Sequence, residues 1–205
     1  MTEADATASE MEFDKAIPVG SPGHKASGWF GMWMLIVTEA ALFLYLLFTY
    51  YYLAIWNSGH FLPPDPPSLH LAVPNTALLL ASSVAAWWAE AGIKRGQRRR
   101  LTIGLLATVV LGVVFIGIQV LEWLDKPFRW DTDTYGSLYY TITGFHMAHV
   151  AGGVLMLLAL LLWNGMGFFD RERHAQVSVV VIYWHFVDAV WLTIFFTFYI
   201  TPFLS

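Results

Sequence analysis

Leu101 to Trp123 reads LTIGLLATVVLGVVFIGIQVLEW, with no charged residue before Glu122, and it follows directly on the basic run KRGQRRR of Lys94–Arg100. About 20 mainly apolar residues are needed for a helix to cross ~30 Å of hydrocarbon. The stretch meets that length, lacks the period-two alternation of a membrane strand and is too long to be one. It reads as a membrane-spanning helix with a cationic foot.

Four more segments qualify on either side of it, so the spans fall at about 28–53, 72–91, 101–123, 137–162 and 177–201, none containing lysine or arginine. Composition agrees: the 205 residues are 57% hydrophobic and only 13% charged, too little charge to clothe a soluble domain of this size. The predicted fold is all-α: a polytopic membrane protein, a bundle of five transmembrane helices over 28–205 behind a polar cytoplasmic segment, 1–27. That leader is acidic, unlike a secretory signal, and the first apolar run is too long for a signal core, so it is expected to remain as a span.

The absence of cysteine excludes disulfides, thiolate metal sites and cysteine nucleophiles. The net charge of −4, without a basic aromatic-interleaved surface, argues against nucleic acid as a partner. Pro63–Pro67 (PPDPP) reads as a rigid external turn, Asp125-Lys126-Pro127 as part of a loop, and Asp170–His174 as a charged loop. Lys15, Lys25, Lys94, Arg95, Arg98, Arg99, Arg100, Arg171 and Arg173 fall on one side of a five-span topology, against Lys126 and Arg129 on the other. The positive-inside rule then places the N-terminus in the cytoplasm and the C-terminus outside. Trp29, Trp87, Trp88 and Trp163 mark inner ends; Trp56 and Trp123 mark outer ends.

Ionisable groups in hydrocarbon are costly and informative. At 1.5 Å per residue, Glu39, His146, His149, His185 and Asp188 all lie ~12–16 Å from the inner boundary. His146 and His149 share a face at i,i+3, as do His185 and Asp188, while Gly144, Ala148 and Gly152 form a small-residue strip for close helix approach. Three readings are open for the five polar groups. They could hold helices together as one network, give Glu39 a proton-conducting or lipid-binding role, or supply a bis-His haem. A di-iron bundle needs Glu-x-x-His motifs, and Glu39 is followed at i+3 by Leu42. No catalytic residue and no metal ligand set is therefore expected in this chain.

Asn75, Gln119 and Glu122 form a second polar layer toward the outer side, read as packing and interface anchoring. Glu90 can reach the inner interface or the nearby arginines, and Phe195, Phe196, Phe198 and Tyr199 read as lipid-facing or helix-packing groups. Lys94, Arg95, Arg98, Arg99 and Arg100 serve equally as a topology signal or as contacts for lipid headgroups or a neighbouring subunit.

Several of these segments also resemble one family. Thr38–Phe43 (TEAALF), Asn75–Ser83 (NTALLLASS), Gln119–Trp123 (QVLEW) with Lys126-Pro127-Phe128, and Tyr135-Gly136-Ser137 leading to Gly144–Val150 (GFHMAHV) are similar in order to subunit III of haem–copper terminal oxidases. Tyr183–Trp191 (YWHFVDAVW) is nearly that family's most recognisable string; Met147 stands where glycine is common. The chain resembles a short five-span form without the two helices that complete a V-shaped lipid cleft.

The resemblance implies a non-redox subunit of a respiratory complex that reduces dioxygen to water and pumps protons. Cytochrome c or quinol would be the donor, and haem and copper would sit in partner subunits I and II. It implies packing on subunit I, a small subunit IV in the same complex, bound phospholipid, and a bacterial inner (plasma) membrane. It matches Glu39 to the family's buried helix glutamate, with a contact to His185 expected. A five-span accessory subunit of nitric oxide reductase shares much of this motif set. A stand-alone cytochrome b or proton-coupled transporter is the remaining alternative.

Overall fold

The computed structural model describes residues 27–57, 61–63 and 69–203. Lys15, Lys25 and most of the Pro63–Pro67 turn lie outside the described residues. Five helices follow one another: α1 (Ser27–Trp56), α2 (Leu69–Ile93), α3 (Arg98–Asp125), α4 (Thr134–Gly165) and α5 (Ala175–Phe195). All five are long and apolar enough to span a membrane, and the described residues contain no strand. The first four helices overrun the apolar segments that announce them at both ends, whereas α5 starts early but stops as an α-helix at Phe195, short of residue 201. Hydropathy marks only the part in hydrocarbon, while backbone hydrogen bonding carries the helix on into the headgroup region.

The helix ends have local causes. Gly96 (φ 75°) and Gly167 (φ 85°) end α2 and α4 in left-handed geometry that a Cβ disfavours. In each case a pair of reversed bonds closes the end: Gln97 N–H to Gly92 O at 3.0 Å with Gly96 N–H to Ile93 O, and Phe168 N–H to Trp163 O with Gly167 N–H to Asn164 O. These are Schellman caps, which satisfy the last carbonyls. At the start of α4, Asp133 Oδ1 accepts the Gly136 N–H at 2.6 Å. Gly136 has no room for a side chain, since a Cβ there would collide with the Arg129 carbonyl.

α5 is the hub, packed against α1, α2 and α4. Between lipid-bathed helices the apolar driving force is weak, so close fit has to do the work. A methyl on Gly112 of α3 would fall 2.8 Å from Trp184 Cη2, and one on Gly153 of α4 would fall 2.8 Å from Trp184 Cε3. The two glycines thus make the slot for the fully buried Trp184 indole, whose Nε1 donates to Ser82 Oγ at 3.0 Å. Gly104 seats α3 on α2 in the same way: a methyl there would fall 2.6 Å from Ala89 Cβ and 2.9 Å from the Ala85 carbonyl oxygen.

The expected strip Gly144–Ala148–Gly152 does not make this contact. Ala148 is exposed, and methyls on Gly144 or Gly152 would meet only ordinary 3.9 Å neighbours. Spacing identifies small residues, but the slot is made where a large neighbour needs depth, and the Trp184 ring selects Gly153.

α5 passes into a π-helical turn, Phe196–Ile200, closed by Thr201 N–H to Phe196 O, and then a 3-10 turn, Thr201–Phe203. The widened turn carries three consecutive buried side chains, Thr197, Phe198 and Tyr199. Phe196 stays exposed, so the aromatic run divides between core and lipid.

Candidate functional site

The five mid-depth groups do not join into one network; they separate into three places. Glu39 Oε2 on α1 lies 3.0 Å from His149 Nε2 on α4. His149 Nδ1 lies 2.6 Å from the Phe145 carbonyl, which can only accept, so that nitrogen carries a proton. The Nε2–Oε2 contact then needs one further proton, on either the imidazole or the carboxyl, and the pair is electrically neutral in both forms. The imidazole facing Glu39 is thus His149, not the His185 that the family resemblance implied.

The second place is the seam of α2 and α5, where His185 Nδ1 and Ser83 Oγ are 2.6 Å apart. The buried Asp188 carboxylate lies beside Ser83 without a well-formed hydrogen bond among the described residues. The third is His146, fully buried, stacked on Trp191 with ring centroids 5.0 Å apart and edged by Phe115 at 5.9 Å. Three residues along a helix is ~60° away from full register, enough to aim His146 into the core and His149 at α1.

The outer layer is more elaborate than its sequence suggested. Glu122 Oε1 takes Lys126 Nζ at 3.0 Å and the Tyr199 hydroxyl, with the Tyr139 hydroxyl 3.0 Å from that of Tyr199. Lys126 also stands 5.3 Å from both tyrosine ring centroids. Its side chain is 9% exposed, so this residue of the connection after α3 folds its ammonium inward over Glu122. The Glu–Lys spacing of four is the signal that marks it; the signal is masked because the apolar run ends at Trp123, short of the helix end at Asp125. Asn75 Nδ2 reaches the Phe115 carbonyl at 3.4 Å, and Gln119 is fully buried beside Tyr139.

At the inner ends, Lys94 pairs with Glu90 at 2.7 Å, and Ser178 Oγ donates to the same carboxylate at 2.6 Å. Arg98 caps α4 through the Gly167 carbonyl at 3.1 Å, and Arg100 lies 4.6 Å over Trp88, leaving Arg95 and Arg99 exposed. A cavity of about 570 Å³ opens here, lined among others by Trp29, Glu90, Lys94, Arg171 and His174. In the adjacent loop Asp170 accepts the backbone N–H groups of Glu172 and Arg173 and pairs with the Arg173 guanidinium at 2.7 Å. Partial burial favours the neutral Asp170 carboxyl, but those hydrogen bonds and the Arg173 charge outweigh it and hold the group below its ordinary range.

Five spanning helices, with polar side chains held at the seams between them, define this as a multi-pass helical membrane protein. Residues 24–202 match the family described as Cytochrome c oxidase subunit III. The chain is 34% identical over 179 residues to cytochrome c oxidase subunit 3 of Scyliorhinus canicula, covering 83% of this chain and 68% of that one. It is 33% identical to that of Myxine glutinosa over the same shares, and 32% identical over 176 residues to that of Drosophila yakuba, covering 82% and 67%. The chain belongs to the cytochrome c oxidase subunit III family, and so to an oxidase complex with partner subunits.

Proposed function

We propose that this chain is the non-redox subunit III of a respiratory haem–copper oxidase that reduces dioxygen and pumps protons. It packs on subunit I, binds phospholipid, and supports assembly, proton uptake and turnover lifetime. Haem and copper reside in subunits I and II, with cytochrome c as the donor that the family's description names. The N-terminus faces the cytoplasm, and the complex sits in the bacterial inner membrane. The names of these relatives favour the oxidase over the nitric oxide reductase, cytochrome b and transporter readings.

The observation that carries the proposal is where the polar seams lie. Glu39–His149 and Ser83–His185 sit near the middle of their helices, yet Glu39 is 27% exposed and His185 is only partly covered. Polar groups at that depth are costly against lipid tails, and a neighbouring protein helix removes that cost. One further feature fits the division of labour. His146 is shut in by Trp191 and Phe115, which leaves no opening beside its ring for a porphyrin. The inner cavity, lined by Lys94 and Arg171 together with Glu90 and Glu172, suits a headgroup that carries both charges.

Affinity purification of the tagged chain from its own membrane, with identification of co-purifying subunits and an absorption spectrum, tests the proposal. A haem- and copper-bearing partner is expected, lost when Glu39 and His149 are both replaced by leucine. A chain that purifies alone with its own Soret band sinks it.

A further inference from the structure

Along the inward face of α3, Phe115, Gln119 and Glu122 form one stripe at spacings of four and three, and Lys126, just past the helix end, folds back onto Glu122. Around that stripe lie six buried side-chain atoms with no hydrogen-bond partner among the described residues. They are Asn75 Oδ1, Gln119 Oε1 and Nε2, Glu122 Oε2, and His146 Nδ1 and Nε2. None of the four residues is more than 2% exposed. Gln119 lies within loose reach of the Tyr139 hydroxyl, but neither amide atom makes a well-formed hydrogen bond, and exchanging its oxygen and nitrogen does not satisfy both.

The four residues are contiguous. Asn75 bonds the Phe115 carbonyl, the Phe115 ring touches His146, and Gln119 sits between Phe115 and Glu122 on the same stripe beside Tyr139. Unmade hydrogen bonds at six buried atoms would together rival the whole stability of a folded domain. Buried polar atoms that cannot pair with each other are met by internal water, each molecule serving about three of them. We infer that the outer half of the bundle holds a file of about two ordered waters running from Glu122, past Gln119 and Asn75, to His146.

The file has a floor. Trp191 Nε1 donates to Thr76 Oγ1 at 2.9 Å and Trp184 Nε1 to Ser82 Oγ at 3.0 Å, so both indoles are satisfied by protein. Trp184 also fills its glycine slot, so neither indole offers the file a hydrogen bond below His146.

X-ray radiolytic footprinting of the purified oxidase complex in ¹⁸O-water reads this directly, because hydroxyl radicals born from a bound water mark the side chains beside it. Phe115 and Trp191, both almost wholly buried, are expected to gain ¹⁸O several-fold faster than the equally buried Trp184. Gln119→Leu, which fills the site and removes its amide, is expected to bring Phe115 down to the Trp184 rate. Labelling of Phe115 and Trp191 no faster than Trp184 in the unsubstituted complex overturns the inference without recourse to a variant. Undiminished labelling in Gln119→Leu overturns Gln119 as a ligand of the water.

Discussion

Glu39 on α1 and His149 on α4 meet at 3.0 Å near the middle of their helices, and the same imidazole is anchored from behind by the Phe145 carbonyl. α1 is the least buried of the five spans. Besides Phe43 and Tyr50 in the core, it is tied to the bundle by this contact and by Tyr51 to Thr197 at 3.0 Å. A single polar contact can therefore influence how a whole helix docks.

Glu39→Ala is expected to lower the yield of assembled complex and its lifetime in turnover while the haem spectrum of the surviving complex stays unchanged. Glu39→Gln keeps a hydrogen bond and should be milder. A double-mutant cycle with His149→Ala should return a coupling of ~0.5–2 kcal/mol in the thermal stability of the subunit. Strict additivity of the two changes would remove the contact from the account.

Lys126 and Glu122 are both almost fully buried, so removing one partner leaves the other charge stranded. Lys126→Met should cost ~3–5 kcal/mol in unfolding or subunit-dissociation measurements. Lys126→Met with Glu122→Gln together should recover much of that loss, since no net charge then stays inside. If the double variant is as unstable as the single, the cost comes from packing and not from charge.

The glycines divide by what surrounds them. Gly153→Ala drives a methyl onto Trp184, and Gly104→Ala drives one onto the Ala85 carbonyl, which cannot swing away. Each should destabilise by ~1–3 kcal/mol. At Gly117 a methyl would have no neighbour within 4 Å among the described residues, so Gly117→Ala should be neutral or favourable by up to ~1 kcal/mol. Thermal melts of the three variants, with Gly144→Ala as a tolerant control, decide this ordering.

Asp170 supplies an acid-sensitive element at the inner surface. Its carboxyl is held below the ordinary range by Arg173 and two backbone N–H groups. The charged form is thus favoured by folding: its contribution is present above the unfolded value near pH ~3.9 and disappears as pH falls through the lower folded value. Asp170→Asn should weaken the protein at neutral pH, and the gap from the unsubstituted protein should close on acidification below that range. Parallel stability curves at all pH values would contradict it.

Hydropathy made the spans legible because a lipid-crossing helix has to satisfy its backbone internally and present apolar side chains over a set length. The π-helical turn was not legible: nothing in FFTFYI separates Phe196, which faces out, from Phe198 and Tyr199, which face in. Position along each helix was also readable, which sets Glu39, His149, His185 and Asp188 well inside the ends of their helices. Their partners were not, because Ser83 and Phe145 carry no mark of their role until helices are placed side by side.

The amino-acid order by itself determined five membrane-crossing helices, the position of each buried ionisable group along its helix, and kinship with an oxidase subunit, since these depend on rise per residue and on local chemistry. Only the tertiary arrangement decided that Glu39 faces His149, that Lys126 lies inside, and that Gly153 and not Gly152 receives a tryptophan. Helix rotation and tilt are set by how neighbouring side chains interlock, and a rotation of one residue, ~100°, turns a core position toward lipid.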